Sequence, residues 1–164
     1  MARVIVDAGP LIAFAKVNQT DLFQRLFGGI DITVSVQREC MAKPCGDRKA
    51  LSGVMQEDWL HVCVPAAHEQ ALSLSLGDGE RDSIYLALEY PSDSLLIMDD
   101  FLARKQIIRL GLPVMGTVRM LYIAQHRNLI SSAEMVISDM REHGYRISTA
   151  ILEKIQREQV YHHE

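Results

Sequence analysis

The chain has 164 residues, of which 48% are hydrophobic and 23% are charged. These proportions are those of a globular protein, and they exclude a disordered chain, a coiled coil and a low-complexity scaffold. The formal net charge of -4 excludes the strongly basic class of nucleic-acid binder. It does not exclude a nucleic-acid enzyme, because carboxylates gathered at a metal site count against the total. At this length we expect one domain over residues 1–164.

Short apolar strands and helices are predicted to alternate along most of the chain. The predicted strands are 4–6, 32–36, 59–64, 95–98 and 113–115. The predicted helices cover 11–15, 21–27, 48–56, 66–76, 102–110, 118–126, 132–143 and 148–160, with two more that open near Gln37 and Gly79. A turn is predicted at 43–46.

This alternation predicts an α/β three-layer sandwich with a mainly parallel central sheet. From about residue 128 onward only helices are predicted, so this part is expected to form a helical extension. Ser131 or Ser132 and Ser148 are the expected N-caps there, and Gly144 the expected C-cap.

Acidic residues stand where predicted strands end or where the next helix begins. They are Asp7, Glu39, Glu80, Asp82, Asp99 and Asp100. The carboxyl ends of parallel strands lie along one edge of a sheet, so these segments are expected to share a pocket. Oxygen ligands without a histidine or cysteine pattern favour Mg²⁺ or Mn²⁺ over zinc. One or two such ions over a phosphodiester can activate a water and hold the leaving oxygen.

A second interpretation of the same residues is structural. Aspartate and glutamate are common at helix N-caps and in first turns, where they meet the helix dipole. Asp7, Glu80 and Asp82 stand at such positions, so each is as well explained by a plain cap as by a ligand.

Four stretches of the chain resemble those of a PIN domain. They are VIVDAGPLIA (4–13), LGDGERDSI (76–84), LIMDDFLAR (96–104) and GLPVMGT (111–117). They occur in the family's order, and the last three are similar to a prokaryotic, VapC-like ribonuclease branch. The later segment Gly144-Tyr145-Arg146-Ile147-Ser148 also resembles the helical end of that branch.

The resemblance implies a metal-dependent endoribonuclease, in many cases the toxin of a toxin–antitoxin pair. Its catalytic acids match Asp7, Glu39, Glu80 and Asp99. The implied metal ligands are Asp7, Glu80, Asp99 and Asp100, with Asp82 as a neighbouring acid. The implied partners are an RNA substrate, an antitoxin protein and a second copy of the chain. Ala8-Gly9-Pro10 stands where many PIN domains carry a serine or threonine.

Two cations beside the fourth strand's acids are candidates for phosphate contacts. Arg104 and Lys105 follow Asp99 and Asp100, and such contacts position a nucleic acid without selecting its sequence. Arg109, later on the same predicted helix, is a further candidate. Arg104 is equally an ion-pair candidate for Asp100, whereas Lys105 and Arg109 fit a solvated helix face slightly better. The sequence shows no stripe of alternating aromatic and basic residues of the kind typical of single-strand binders.

Two other classes of function stay open at this point. One is a nucleic-acid-binding or regulatory protein that keeps the fold and cleaves poorly, and the other is a hydrolase of small phosphates. Cys40, Cys45 and Cys63 are an odd number and fit ordinary thiols in a reducing cytoplasm. The start of the chain is too short for a secretory signal, and no apolar run predicts a membrane span. Met115, Met120, Met135 and Met140 are expected in the core or at an oligomer face.

Overall fold

A computed structural model describes residues 2–43, 45–147 and 149–160 of the chain. Within these residues five strands form one sheet in the order β3-β2-β1-β4-β5, and every pair of neighbours is parallel. The strands are β1 (Arg3–Val6), β2 (Ile30–Thr33), β3 (Leu60–Cys63), β4 (Ser94–Ile97) and β5 (Val114–Met115). Val6 pairs with Ile97, so β1 and β4 end side by side. The predicted α/β class with a parallel sheet is confirmed.

Nine helices within the described residues surround this sheet. They are α1 (Ala8–Lys16), α2 (Asp21–Phe27), α3 (Val34–Met41), α4 (Cys45–Met55), α5 (Asp78–Leu88), α6 (Phe101–Arg109), α7 (Thr117–His126), α8 (Ala133–Glu142) and α9 (Thr149–Val160). Val4 and Val6 belong to one buried cluster with Phe14, whereas Ile5 belongs to a second cluster with Ile84. Because successive residues of a strand point to opposite faces, β1 is buried on both sides, as a three-layer sandwich requires.

The predicted strand 32–36 is wrong in its second half. β2 ends at Thr33, and α3 begins at Val34. Thr33 has extended backbone, and its Oγ1 accepts a hydrogen bond from the Val36 N–H at 3.2 Å. The β-branched residues after Thr33 resemble a strand, but the threonine cap starts a helix there. Glu39 therefore lies inside α3 rather than at the end of a strand.

The helix predicted over 66–76 does not form. This segment has no regular secondary structure up to a turn at 74–75, and Leu74 is 93% exposed. Its backbone groups bond instead to side chains of the α5 region: Ala66 N–H donates to Glu89 Oε1 at 2.6 Å, and Gln70 C=O accepts from the Tyr85 hydroxyl at 3.1 Å. A short helix gains most of its stability from packing an apolar face, and this segment buries too little apolar surface for that.

The turn predicted at 43–46 is also revised, since α4 begins at Cys45, earlier than expected. Pro44 and the side chain of Cys45 lie outside what is described. Cys40 is buried without a disulfide, and burial raises the pKa of its thiol to about 12. The thiol is therefore protonated at neutral pH, as expected of an ordinary thiol.

The two helices after α7 pack on the rest of the structure mainly through α7. α8 contacts α7 and α1, and α9 contacts α7. Ser132 is the predicted cap that forms, with its Oγ accepting from the Met135 N–H at 3.2 Å. Gly144 follows α8 with a φ of +92°, which favours glycine, whereas Ser148 lies outside the described residues. No helix in the described part of the chain combines the length and the apolar character that a bilayer crossing needs.

The four methionines that were expected in the core or at an oligomer face divide between the core and the surface. Met120 and Met140 are fully buried, and Met115 is half-buried against the core. Met135 is exposed on α8. Core packing therefore accounts for three of the four, and for Met135 an oligomer face stays a prediction.

Candidate metal centre

Four of the predicted acids meet at the carboxyl edge of β1 and β4. Asp7 directly follows β1, and Asp99 lies just beyond the end of β4, while Glu39 and Glu80 come from α3 and α5. The charges of Glu39, Glu80 and Asp99 all act on Asp7 and raise its pKa. The structure therefore brings together acids that are far apart in sequence, as parallel strand ends predict.

Gly79 allows α3 and α5 to approach each other at this edge. A Cβ atom placed on Gly79 would lie 3.1 Å from Glu39 Oε2, 3.3 Å from Val36 Cγ2 and 3.5 Å from Asp7 Oδ1. The carboxylates of Glu39, from α3, and of Asp7, from the end of β1, thus both lie against Gly79. A larger residue at this position would push into the space between them.

Asp7 is the most unusual carboxylate of the group. Its side chain is only 7% exposed, and within the described residues its buried Oδ1 has no hydrogen-bond partner. Burial is the main cause that raises its pKa from 3.8 to about 7, and the neighbouring carboxylates add to this effect. It occupies the N-cap position of α1 without making a side-chain cap. A backbone hydrogen bond from Ala8 opposes this shift in the pKa of Asp7. A plain cap therefore does not account for Oδ1, and a buried oxygen without a partner has to be explained otherwise.

Asp99 is held by three hydrogen bonds. The Thr117 N–H donates to Oδ1 at 2.8 Å, and the Thr117 hydroxyl donates to Oδ2 at 2.6 Å. The Tyr145 hydroxyl also donates to Oδ2, at 2.6 Å. Burial and the Asp99 charge together raise the pKa of Tyr145 far above its usual value, so the phenol stays protonated and remains a donor. These bonds fix the orientation of the Asp99 carboxylate.

Glu80 combines a cap with a place in the acid cluster. Its Oε2 accepts from the Gly77 N–H at 2.9 Å at the start of α5, so the structural interpretation holds in part. Partial burial raises the pKa of Glu80, and the charges of Asp100 and Glu39 raise it further. The carboxylate therefore serves the helix start and still lies within the field of its acidic neighbours.

The two remaining acids have structural partners. Asp100 is the N-cap of α6, and its Oδ1 accepts from the Ala103 N–H at 2.8 Å. Asp82 accepts a hydrogen bond from the Ser35 hydroxyl, which joins α5 to α3. Oδ1 of Asp100 is therefore engaged in the cap, which leaves Oδ2 for a metal ion. The role of Asp100 as a metal ligand stays a prediction.

The two predicted phosphate contacts differ in their surroundings. A Cβ on Gly116 would lie 2.7 Å from Arg104 Nη1 and 3.1 Å from Asp99 Oδ1, so Arg104 and Asp99 face the same glycine. Arg104 is thus a neighbour of Asp99 rather than the expected partner of Asp100. Lys105 is exposed and makes no ion pair within the described residues.

The donor set fits a hard divalent cation, although the acids are not closed around one point. No three histidine, cysteine, aspartate or glutamate side chains among the described residues are arranged to hold an ion. The fit rests on the orphaned Asp7 Oδ1 and on the all-oxygen chemistry of its acidic neighbours. A cation would give Asp7 Oδ1 a partner and would reduce the repulsion between the carboxylates.

Tyr145 is the hydrogen-bond partner of Asp99 that the sequence interpretation missed. It lies 46 residues after Asp99 and arrives from the loop that follows α8. The only signal for it was the segment Gly144-Tyr145-Arg146, whose resemblance to the family carried no role for the tyrosine. Spacing could not have linked it to Asp99.

A family model described as a PIN domain matches residues 3–159. The chain therefore belongs to the PIN-domain family, as its four motifs predict. PIN domains are generally nucleases and typically use divalent metal ions. No curated protein matches the sequence.

Removing the Tyr145 hydroxyl tests whether Asp99 needs this support. We expect Tyr145→Phe to lower the free energy of unfolding by about 1 kcal/mol, the net value of one hydrogen bond. We also expect it to weaken divalent-metal affinity by about 10- to 100-fold, as outer-shell changes do. Urea unfolding and a Mn²⁺ titration measure the two effects. Loss of stability with unchanged metal affinity would show that Tyr145 is a packing residue only.

Proposed function

We propose that this protein is a Mg²⁺- or Mn²⁺-dependent endoribonuclease that hydrolyses RNA phosphodiesters. The observation that carries the proposal is the buried, unpartnered Asp7 Oδ1 in the field of three further carboxylates. Burying a charged oxygen without a partner is costly unless a cation binds there. Membership of a nuclease-type family supports the same chemistry.

Each acid has a part in this proposal. Asp7, Glu80 and Asp99 would hold the cation, and Glu39 or Asp100 would orient the attacking water or support a second ion. The bound cation supplies a water of lowered pKa and neutralises the charge that develops on the phosphate. Asp7 must lose its proton to become a ligand, and its pKa of about 7 places this loss near neutral pH. Thr117 and Tyr145 keep Asp99 in one orientation during the reaction.

The VapC-like resemblance of residues 76–117 extends the proposal to a biological role. Toxins of this type are restrained by an antitoxin, and PIN proteins commonly pair. We therefore include an antitoxin protein and a homodimer among the proposed partners, with the cytoplasm as the place of action. A small open reading frame just upstream of the gene would support the toxin role.

A second candidate is an RNA-binding or regulatory protein with little cleavage activity. Two observations favour it: no three of the described acids close around an ion, and the Arg104 guanidinium lies beside Asp99. A basic group at the position of a metal would neutralise the acids without activating a water. The two candidates differ in whether RNA is cut.

Cleavage of RNA under defined metal conditions separates the candidates. Mixed single-stranded and structured RNA is incubated with Mn²⁺, Mg²⁺ or EDTA, and with Asp99→Asn or the exposed control Asp58→Asn. We expect wild type to cleave RNA with either metal and not in EDTA. Cleavage should fall by at least about 100-fold in Asp99→Asn and should stay at the wild-type level in Asp58→Asn. Binding without cleavage under every condition would favour the second candidate. Equal cleavage by wild type and Asp99→Asn would contradict the assigned site.

A further inference from the structure

A groove with a volume of about 440 Å³ opens beside Asp99. One wall is α6, and the other is formed by residues 145–147 of the loop after α8 and by Ile151 and Lys154 of α9. We call it the α6–α9 groove and define it by six of its lining residues: Asp99, Phe101, Lys105, Ile108, Arg146 and Lys154. The groove therefore shares Asp99 with the candidate metal centre.

The groove concentrates positive charge in a chain whose net charge is -4. Lys105 lies on one wall, and Arg146 and Lys154 lie on the other. Within the described residues none of these three makes an ion pair. Arg104 also lines the groove, beside Asp99. Cations on both walls of one groove attract a polyanion and contact its phosphates.

The surface between these cations is apolar. Phe101 is 75% exposed and Ile108 is 63% exposed, although both are large hydrophobic residues. They lie seven residues apart on α6, which is two helical turns, so they present one face to the groove. An exposed aromatic ring among unpaired cations is the combination on which an unstacked base binds. A duplex keeps its bases stacked inside and offers no free face to such a ring.

We infer that the α6–α9 groove binds single-stranded RNA next to the cleaved bond. The inference rests on the proposed function and adds the surface that holds the strand and the residues that contact it. Lys105, Arg146 and Lys154 contact the phosphates, and one base stacks on Phe101. Because Asp99 belongs to both the groove and the candidate metal centre, the neighbouring phosphodiester then lies at the carboxylates of that centre. The helical extension thereby forms one wall of the substrate path.

RNA binding in EDTA tests the groove without cleavage. The probes are a short fluorescein-labelled single-stranded RNA of mixed sequence and the same RNA as a duplex, followed by fluorescence anisotropy. We expect tighter binding of the single strand. Phe101→Ala is expected to weaken it about tenfold, the value of one stacked base, and Phe101→Trp to retain it. Leu102→Ala is the matched control, because Leu102 is exposed on the same helix but does not line the groove.

The salt dependence of binding tests the cations separately. For Lys105→Ala/Arg146→Ala we expect the slope of log Kd against log salt to fall by about 1.4, or about 0.7 for each lost phosphate contact. Lys49→Ala/Arg109→Ala removes the same charge from exposed positions outside the groove and is expected to leave the slope unchanged. Circular dichroism and the Tm of each variant confirm that it folds.

The outcomes separate the groove from the nuclease. If the groove variants bind RNA as tightly as wild type while the protein still cleaves RNA, the groove is not an RNA site. Its apolar surface would then fit a segment of a protein partner instead. Equal binding of single strand and duplex would also overturn it. Weakened binding in the groove variants of a protein that never cleaves would overturn the nuclease alone.

Discussion

Replacing Asp7 with asparagine is expected to abolish RNA cleavage and at the same time to stabilise the metal-free protein. Asparagine has nearly the same shape but cannot ionise, so it removes a charge that is 7% exposed and surrounded by three other carboxylates. At pH 8 the wild-type carboxylate is charged, and the cost of that charge is up to about 4 kcal/mol at about 1.4 kcal/mol for each pKa unit. A chain of this size gains about 2–4 °C in Tm for each kcal/mol.

Thermal unfolding in EDTA at pH 8 and pH 5 measures this effect, with Asp58→Asn as the control. The increase in Tm should be largest at pH 8 and about a third as large at pH 5, where Asp7 is neutral in the folded protein but ionised in the unfolded chain. Cleavage in Mn²⁺ should fall by at least about 100-fold, because a ligand costs more than the outer-shell groups that support it. A variant that is less stable than wild type at pH 8 would contradict the assignment of Asp7 as a destabilising buried charge.

The metal-free wild-type protein is expected to lose stability as the pH rises from about 4 to about 7. The pKa of Asp7 is 3.8 in the unfolded reference and about 7 in the folded protein. In this window the folded state binds more protons than the unfolded state, so the free energy of unfolding falls as the pH rises. The raised pKa of Glu80 acts in the same direction. Above pH 7 both states are ionised at Asp7, and the loss is complete.

Urea unfolding in EDTA at several pH values measures this slope. The Asp7 contribution is up to about 4 kcal/mol, and Asp7→Asn should remove most of it. Saturating Mn²⁺ should oppose the loss, because the cation binds the ionised folded state and not the unfolded chain. A free energy of unfolding that is flat or rises between pH 4 and 7 in EDTA would contradict the raised pKa of Asp7.

The acidic edge of the sheet was predictable because parallel strands end together. Asp7 and Asp99 follow apolar β-rich segments, and their meeting needs only a parallel pairing of β1 and β4. Glu39 was found for a partly wrong reason, since β2 ends at Thr33 and the helix begins at Val34, three residues before the predicted helix start at Gln37. Val34 and Val36 have strand propensity, and only the Thr33 cap shows that the helix has started. Local propensity and capping compete there, and tertiary packing decides between them.

The groove and the support of Asp99 were not predictable from the sequence. Tyr145 reaches Asp99 only because the loop after α8 returns to β4, and no local pattern encodes that return. Lys105 and Lys154 likewise come from separate helices, so the sequence shows no stripe of aromatic and basic residues. The failed helix over 66–76 has the same physical origin: its pattern is helical, but the fold buries Leu76 and part of Leu72 and leaves Leu74 exposed, which is too little packing to stabilise a helix.

The most direct test of the metal centre is a calorimetric titration of Mn²⁺ into the metal-free protein at pH 6 and pH 8. In buffers of different ionisation enthalpy this measurement also counts the protons released. We expect saturable binding that is lost in Asp7→Asn and kept in Asp58→Asn. We also expect that nearly one proton leaves at pH 6 and almost none at pH 8, because the pKa of Asp7 is about 7. Equal Mn²⁺ binding by wild type and Asp7→Asn, without proton release at pH 6, would contradict a metal centre at Asp7.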